Sequence, residues 1–330
     1  MTNDELSTIV DTDDEWIRAR TGIRTRHVAV GESATDLAAS AGARALSHAG
    51  IGADEIDLIV CMTITPDAVI SSQACLVKAR LGLSRAVAFD LNAACTGCIY
   101  GIEVASSMLE ASAADAARAS RRAGRTTRNR MRRALVVGVD VLSRIVDWSD
   151  RATCVLFGDG AGAVVLEWDD DAPGIVASVL ENTDDADLLL SCGNLHAASG
   201  SPFSGPGGEK PKPVDPYIRM QGQRVFKFAS ASMASAIEEV VARAGVALDD
   251  VSLIVAHQAN ERIIRYAAKK IGRPLDLLQV SIAEVGNTSA SSALMALCDA
   301  WLAGRVAPGD KVVLVGFGGG LCAGAVLFEA

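Results

Sequence analysis

Aromatic residues are scarce, with Phe, Trp and Tyr making up 4% of 330 residues. The core must therefore be aliphatic, and because 50% of the chain is hydrophobic it can fill one large or two fused domains. No apolar run is long enough to span a bilayer. The opening, Met1-Thr-Asn-Asp-Glu-Leu6, has neither the basic region nor the apolar stretch of a signal peptide, so the expected location is cytoplasmic. Lys and Arg (31) are outnumbered by Asp and Glu (40), and a formal charge of -9 argues against binding nucleic acid or an anionic membrane. The histidines, at 27, 48, 196 and 257, are too dispersed to complete a zinc site. Neither G-x-G-x-x-G nor Walker spacing occurs, which counts against nucleotide binding.

Eight cysteines are spread over the whole length, unlike the dense framework of a small secreted domain, and are read as reduced thiols. Cys95-Thr-Gly-Cys98 has the spacing of a thioredoxin-type redox pair, although this chain is much larger than that scaffold; helical packing of Cys98 beside Ile102 is the alternative. Cys95 follows a strand-like run, Ala86 to Leu91, and precedes a helix-like run from Thr96 to about Ser112. A thiol there meets unpaired N–H groups and the positive end of the helix dipole, which favour thiolate and suit a nucleophile. A small buried apolar side chain is the competing interpretation.

Shifting the sequence by 195 positions lays Ala49-Gly-Ile-Gly-Ala-Asp-Glu-Ile-Asp-Leu-Ile-Val60 on Ala244-Gly-Val-Ala-Leu-Asp-Asp-Val-Ser-Leu-Ile-Val255, and Asn92 on Asn287. Leu135-Val-Val-Gly138 matches Val313-Leu-Val-Gly316, and Ala161 to Glu167 matches Ala323 to Glu329. The chain is an internal duplication. Strands alternate with helices in both copies, which predicts α/β layers, with one half over 1–170 and the other over 171–330. The second half opens with a strand candidate, Gly174 to Leu180, that has no counterpart in the first. The first half carries 17 additional residues between Asn92 and Gly138, including Arg118, Arg121, Arg122, Arg125, Arg128, Arg130 and Arg132. We expect a mobile, solvated loop between Ala111 and Arg133, with contact to a protein partner as the sharper alternative.

The duplication makes neighbours of distant residues. His257 follows the strand Val251 to Ala256, and its counterpart is Met62, so the fold itself does not need an imidazole. Asn287 lies in the turn Gly286-Asn-Thr-Ser289. A cysteine at a helix start, a histidine at a strand end and an asparagine in a turn offer a thiol and two hydrogen-bond donors around one carbonyl, a set suited to thioester chemistry. Gly316-Phe-Gly-Gly-Gly320 has backbone flexible enough to bring an N–H to a reacting oxygen, or is simply a tight turn.

Six stretches together resemble the thiolase-like condensing enzymes, and within them the β-ketoacyl-[acyl-carrier-protein] synthase III family. They are Asp13-Asp-Glu-Trp-Ile-Arg-Ala-Arg-Thr-Gly-Ile23, Asp90-Leu-Asn-Ala-Ala-Cys-Thr-Gly97, Phe157-Gly-Asp-Gly-Ala-Gly162, His257-Gln-Ala-Asn260, Gly286-Asn-Thr-Ser289 and Gly316-Phe-Gly-Gly-Gly320. The resemblance covers nearly the whole chain. It implies a five-layered α-β-α-β-α fold, a homodimer, and a triad of Cys95, His257 and Asn287. It implies acyl transfer from acyl-CoA to Cys95, then condensation with malonyl-acyl-carrier protein and release of carbon dioxide, starting a fatty-acid chain. The Cys95 and Gly319 amides would form the oxyanion hole, and no metal or redox cofactor is implied, acyl-CoA being a substrate. By the same resemblance Trp16 and Arg20, helped by Thr12 and Arg151, grip CoA, while Phe226 and Asn260 line the pantetheine tunnel; packing or a solvated charge is the alternative for each. Lys227, Arg262, Lys269 and Lys270 resemble a surface for the acidic carrier protein, and solvated helix faces explain them equally.

Departures from the family pattern limit the transfer. Relatives begin with a strand and a Leu-Pro turn before the segment matching Thr2 to Leu6, and their absence is expected to disturb a central sheet position and weaken folding or dimerisation. Ile70 stands where relatives place a residue that closes the partner's acyl pocket. A cysteine hydrolase, a specialised-pathway ketosynthase and a degenerate carrier-binding subunit are the rival readings.

Overall fold

The computed structural model describes residues 1–121, 130–172, 174–193 and 215–330. The elements of the first part are α1 (Asn3–Ser7), α2 (Asp14–Thr21), α3 (Ala34–Ala49), β1 (Leu58–Met62), α4 (Gln73–Leu81), β2 (Val87–Leu91), α5 (Gly97–Arg121), β3 (Arg133–Asp140), α6 (Arg151–Cys154) and β4 (Gly160–Glu167). They continue with β5 (Ile175–Asn182), β6 (Leu190–Cys192), β7 (Ile218–Met220), α7 (Gly222–Ala244), β8 (Val251–Ala256), α8 (Glu261–Lys270), β9 (Leu278–Gln279), α9 (Ile282–Val285), α10 (Ser292–Leu302), β10 (Lys311–Gly318) and β11 (Cys322–Glu329).

One sheet has the order β2-β1-β3-β4 and the other β5-β11-β10-β8-β9. In each, two long apolar strands run parallel (β1 with β3, β8 with β10) and a third closes antiparallel, with Gly138 opposite Gly162 in one sheet and Gly316 opposite Gly324 in the other. Alternation along the strands sorts side chains between layers. Leu58, Val60 and Met62 join Val312 and Leu314 in a central core filled by α5 and α10, whereas Ile59 and Cys61 face α3 and α4. Val313 and Val315 face α7 and α8. The layers thus run helix, sheet, helix, sheet, helix. Each fully buried Leu, Ile or Val is worth roughly 1.5–3 kcal/mol, so the central core is the main reason the sheets stay stacked.

The segment around α1 is held by capping and by bonds to Arg26. Thr2 caps α1 in a reciprocal capping box with Glu5. The Met1 amino group donates to the Arg26 carbonyl at 2.8 Å, and the buried Arg26 guanidinium donates to Asn3 Oδ1 and to the Val155 carbonyl. Burial lowers the Arg26 pKa to about 10. The sheet position beside β4 that would match β5 is peripheral, not central as expected. Among the described residues no strand pairs with the far edge of β4, whereas its counterpart β11 lies between β10 and β5. The duplicated order, read outward from the parallel pairs, puts that slot at the sheet margin.

The insertion also departs from expectation. Helix α5 continues to Arg121 because Ala111 to Ala119 is rich in alanine, the strongest helix former. The remainder of the expected loop over 122–129 lies outside the described residues.

Candidate active site

Cys95 sits on an elbow after β2. Asn92 Oδ1 accepts the Ala94 N–H at 3.2 Å, Ala94 adopts φ 46°, and a single 3-10 turn over Ala94–Thr96 leads into α5. The Thr96 hydroxyl donates to the Cys322 carbonyl, fixing the turn against β11. Gly318 lets β10 approach: a Cβ there would lie 2.8 Å from the Cys95 nitrogen. Cys95 is buried, and that burial pushes its thiol up to about 12. The thiolate expected from the helix start is therefore not the resting form. A helix end supplies ~2 kcal/mol at most, too little to offset taking a thiolate out of water.

His257 extends β8 by one residue. Its N–H donates to the Val315 carbonyl at 2.8 Å, and its ring packs edge-on against Phe317 with centroids 5.2 Å apart. Nδ1 pairs with the Ser292 hydroxyl; Nε2 is buried with no partner among the described residues. Burial lowers this imidazole to about 3, so it is neutral at ordinary pH.

Asn287 is set by its neighbours. Gly286 has φ 69° and ψ -162°, a region essentially closed to residues with a side chain. The Asn287 N–H donates to the Leu156 carbonyl and its carbonyl accepts from the Gly158 N–H, both at 2.9 Å, so the Phe157-Gly-Asp-Gly motif holds the turn. Asn287 Oδ1 accepts the Ser289 N–H at 2.9 Å, which leaves the Nδ2 amide as a donor with no partner among the described residues.

Cys95, His257 and Asn287 line one narrow channel of about 90 Å³, together with Phe226, Asn260 and Phe317. Cys95, Phe157 and Leu190 also border a wider chamber of about 710 Å³, which Gly319 and Leu142 help to line. Cys95, Phe157 and Leu190 are thus shared by the walls of both cavities. Three of the four non-glycine residues with positive φ among those described, Ala94, Ser289 and Leu321, lie on these walls. Such conformations cost about 1–3 kcal/mol each and cluster at sites.

The remaining sequence-picked residues divide. The Trp16 ring carries the guanidinium carbons of Arg20 at 4.3 Å and Arg151 at 4.9 Å, and the buried Thr12 Oγ1 has no partner among the described residues. Asn260 caps α8 and donates to the Arg20 carbonyl at 3.0 Å, linking α2 to the channel wall. Lys227, Arg262, Lys269 and Lys270 are exposed on α7 and α8 without an ion-pair partner among the described residues, and Arg262 lies over the Phe226 ring at 5.7 Å. Ile70 is 98% exposed and is not brought to the chamber of its own chain, which the neighbouring Val69 helps to line. Sequence reasoning missed Ser292 and Phe317 as neighbours of His257. Ser292 is readable from the duplication, where it matches Gly97, and Phe317 from the glycine run; Leu190 has no such signal. Among the described residues no cluster of His, Cys, Asp and Glu could hold a metal, and no helix is long and apolar enough to cross a membrane.

Family models for 3-oxoacyl-[acyl-carrier-protein] synthase III match residues 123–184, and for its C-terminal part residues 241–330. The chain is 38% identical to the β-ketoacyl-[acyl-carrier-protein] synthase III of Clostridium perfringens, over 99% of this chain and 94% of that protein. It is 42% identical to the synthase of the same name from Xanthomonas campestris, over 100% and 94%. The crystal structure of the Aquifex aeolicus 3-oxoacyl-[acyl-carrier-protein] synthase III superposes with a TM-score of 0.87 at 39% identity, covering 100% of this chain and 95% of that one. The priming β-ketosynthase of the R1128 polyketide pathway superposes with 0.86 at 31% identity, covering 100% and 92%. The chain belongs to the β-ketoacyl-[acyl-carrier-protein] synthase III family of condensing acyltransferases.

Proposed function

We propose that this enzyme starts fatty-acid chains by joining a short acyl group from acyl-CoA to malonyl-acyl-carrier protein in the cytoplasm. The observation that carries this reading is the meeting of one sulfur and two neutral donors in one channel. Cys95 attacks the acyl-CoA thioester, its proton ends on the departing CoA sulfur, and the oxyanion is held by the Cys95 and Gly319 amides. The malonyl thioester then enters, and its carbonyl accepts hydrogen bonds from His257 Nε2 and Asn287 Nδ2. As carbon dioxide leaves, those bonds stabilise the enolate, whose carbon attacks the acyl group on Cys95 and expels its sulfur as a thiolate, which takes a proton from water to restore the thiol. A neutral donor suits this role because it strengthens as charge develops on the oxygen. The thioesters carry the activation and the carboxylate supplies the carbanion, so no metal or redox step is called for.

Trp16, Arg20, Arg151 and Thr12 form the CoA grip; Phe226 and Asn260 guide the pantetheine arm. The exposed Lys227, Arg262, Lys269 and Lys270 form the carrier-protein surface, near the channel-lining Phe226 and Asn260. A second copy of the chain pairs along β2, an edge strand whose residues are all half-buried, and brings Ile70 to the neighbouring chamber. Mass spectrometry of the intact protein with a panel of acyl-CoAs tests the reading. Acylation at Cys95, then ketoacyl product on adding malonyl-carrier protein, is expected; acylation without product would favour a hydrolase or a carrier-binding subunit. A specialised starter is the second reading, supported by likeness to the R1128 priming ketosynthase and by the size of the chamber. A preference for branched or longer acyl-CoAs would decide for it.

A further inference from the structure

We propose that Ser292 is a positioning residue that fixes the tautomer of His257. The argument is one of hydrogen-bond satisfaction. Ser292 is buried at 1% exposure, and its oxygen accepts the Gln258 N–H at 3.3 Å. Among the described residues the sole acceptor within reach of its O–H is His257 Nδ1. If Nδ1 carried the hydrogen, the serine O–H would be buried without an acceptor, a cost of about 1–3 kcal/mol. The serine therefore donates, Nδ1 accepts, and the hydrogen of the neutral ring sits on Nε2, the nitrogen left unpartnered at the channel.

The duplication supplies an independent observation. Under the 195-position shift that carries Met62 onto His257, Gly97 falls on Ser292. In the first copy the pair packs apolar on bare backbone: a Cβ at Gly97 would lie 2.9 Å from the Met62 Cβ. The second copy has exchanged both members, Met for His and Gly for Ser, at positions that touch. An imidazole gained without its hydroxyl partner would be free to hold its hydrogen on the wrong side.

The proposal rests on the reaction above for its kinetic consequence but not for the tautomer itself. Nitrogen NMR of ¹⁵N-histidine-labelled, ligand-free enzyme should show His257 as the Nε2–H form. In Ser292→Ala the Nδ1–H form should appear, and decarboxylation of malonyl-carrier protein by the acyl-enzyme should fall roughly tenfold to a hundredfold. Acylation of Cys95 should persist, and Ser292→Thr should restore both the spectrum and the rate. An Nδ1–H ring in the unaltered enzyme overturns the proposal whether or not any variant folds. So does a Ser292→Ala protein that loses activity with its tautomer unchanged, since that marks mere packing. A tautomer shift in a protein that never condenses thioesters would instead retire the reaction and keep the hydrogen bond.

Discussion

The two sheets offer the same backbone and receive different chemistry. Each has an elbow in which an asparagine Oδ1 accepts an N–H two residues on, and a non-glycine residue follows at positive φ: Asn92 with Ala94 at 46°, Asn287 with Ser289 at 53°. After that residue comes Cys95 in one copy and Ala290 in the other. The facing strand ends in Met62 or in His257. Even the contact on the elbow N–H differs, since Asp140 Oδ2 accepts from Ala290 at 3.3 Å, whereas its counterpart Gly318 puts no carboxylate beside Cys95. The duplicated frame thus provides two equivalent turns at one channel, and a few exchanges give sulfur to one and donors to the other. The comparison extends to the margins. Matching sequences give β11, flanked by β5 and buried along most of its length, and β4, an edge strand half-exposed along most of its length.

The sharpest way to break the comparison is to swap the elbows. Cys95→Ala should abolish the acyl-enzyme mass, and adding Ala290→Cys should not restore it. His257→Met, which makes the second copy like the first, should cut malonyl decarboxylation by roughly 10²–10³, as should Asn287→Ala, while both still acylate Cys95 in single-turnover assays. For the margins, Leu327→Ala on β11 should cost about 2–5 kcal/mol in urea unfolding, against ~1 kcal/mol for Val165→Ala at the equivalent place on β4.

Protonation gives a subtler test. His257 titrates near 3 when folded and near its ordinary 6.5 when unfolded, so below about 6.5 the unfolded chain takes up a proton that the folded chain refuses. Stability should therefore fall as pH drops from 6.5 toward 3, and His257→Met should flatten that slope in pH-dependent unfolding. The smallest effect expected is at the surface. Lys269→Ala should weaken carrier-protein affinity only a few-fold, with the loss vanishing at high salt.

Much of the frame was legible in the sequence because a duplication repeats its punctuation. Ala49-Gly against Ala244-Gly marks two helix ends, and Gly138 with Gly162 marks the register that Gly316 with Gly324 repeats. Cys95, His257 and Asn287 stood out as positions where the copies differ or where turn chemistry is conspicuous, and the structure brings them to one channel. What was not legible depends on solvent exclusion. A helix start near Cys95 suggested a thiolate, but depth of burial is a three-dimensional quantity and reversed the sign. Likewise Arg-rich sequence suggested a loop after Ala111, while local alanine propensity carried α5 on to Arg121. Leu190 reaches the site on β6, a strand of three residues too short to show a periodicity.

The dry seat of His257 has a metabolic corollary. A ring that stays uncharged from weak acid to alkali offers cellular acidity no handle on decarboxylation, and a thiol that ionises only in strong base offers none on acylation. Neither side chain changes its charge across that range, so any pH dependence of the rate is expected to come from the thioesters and from other groups.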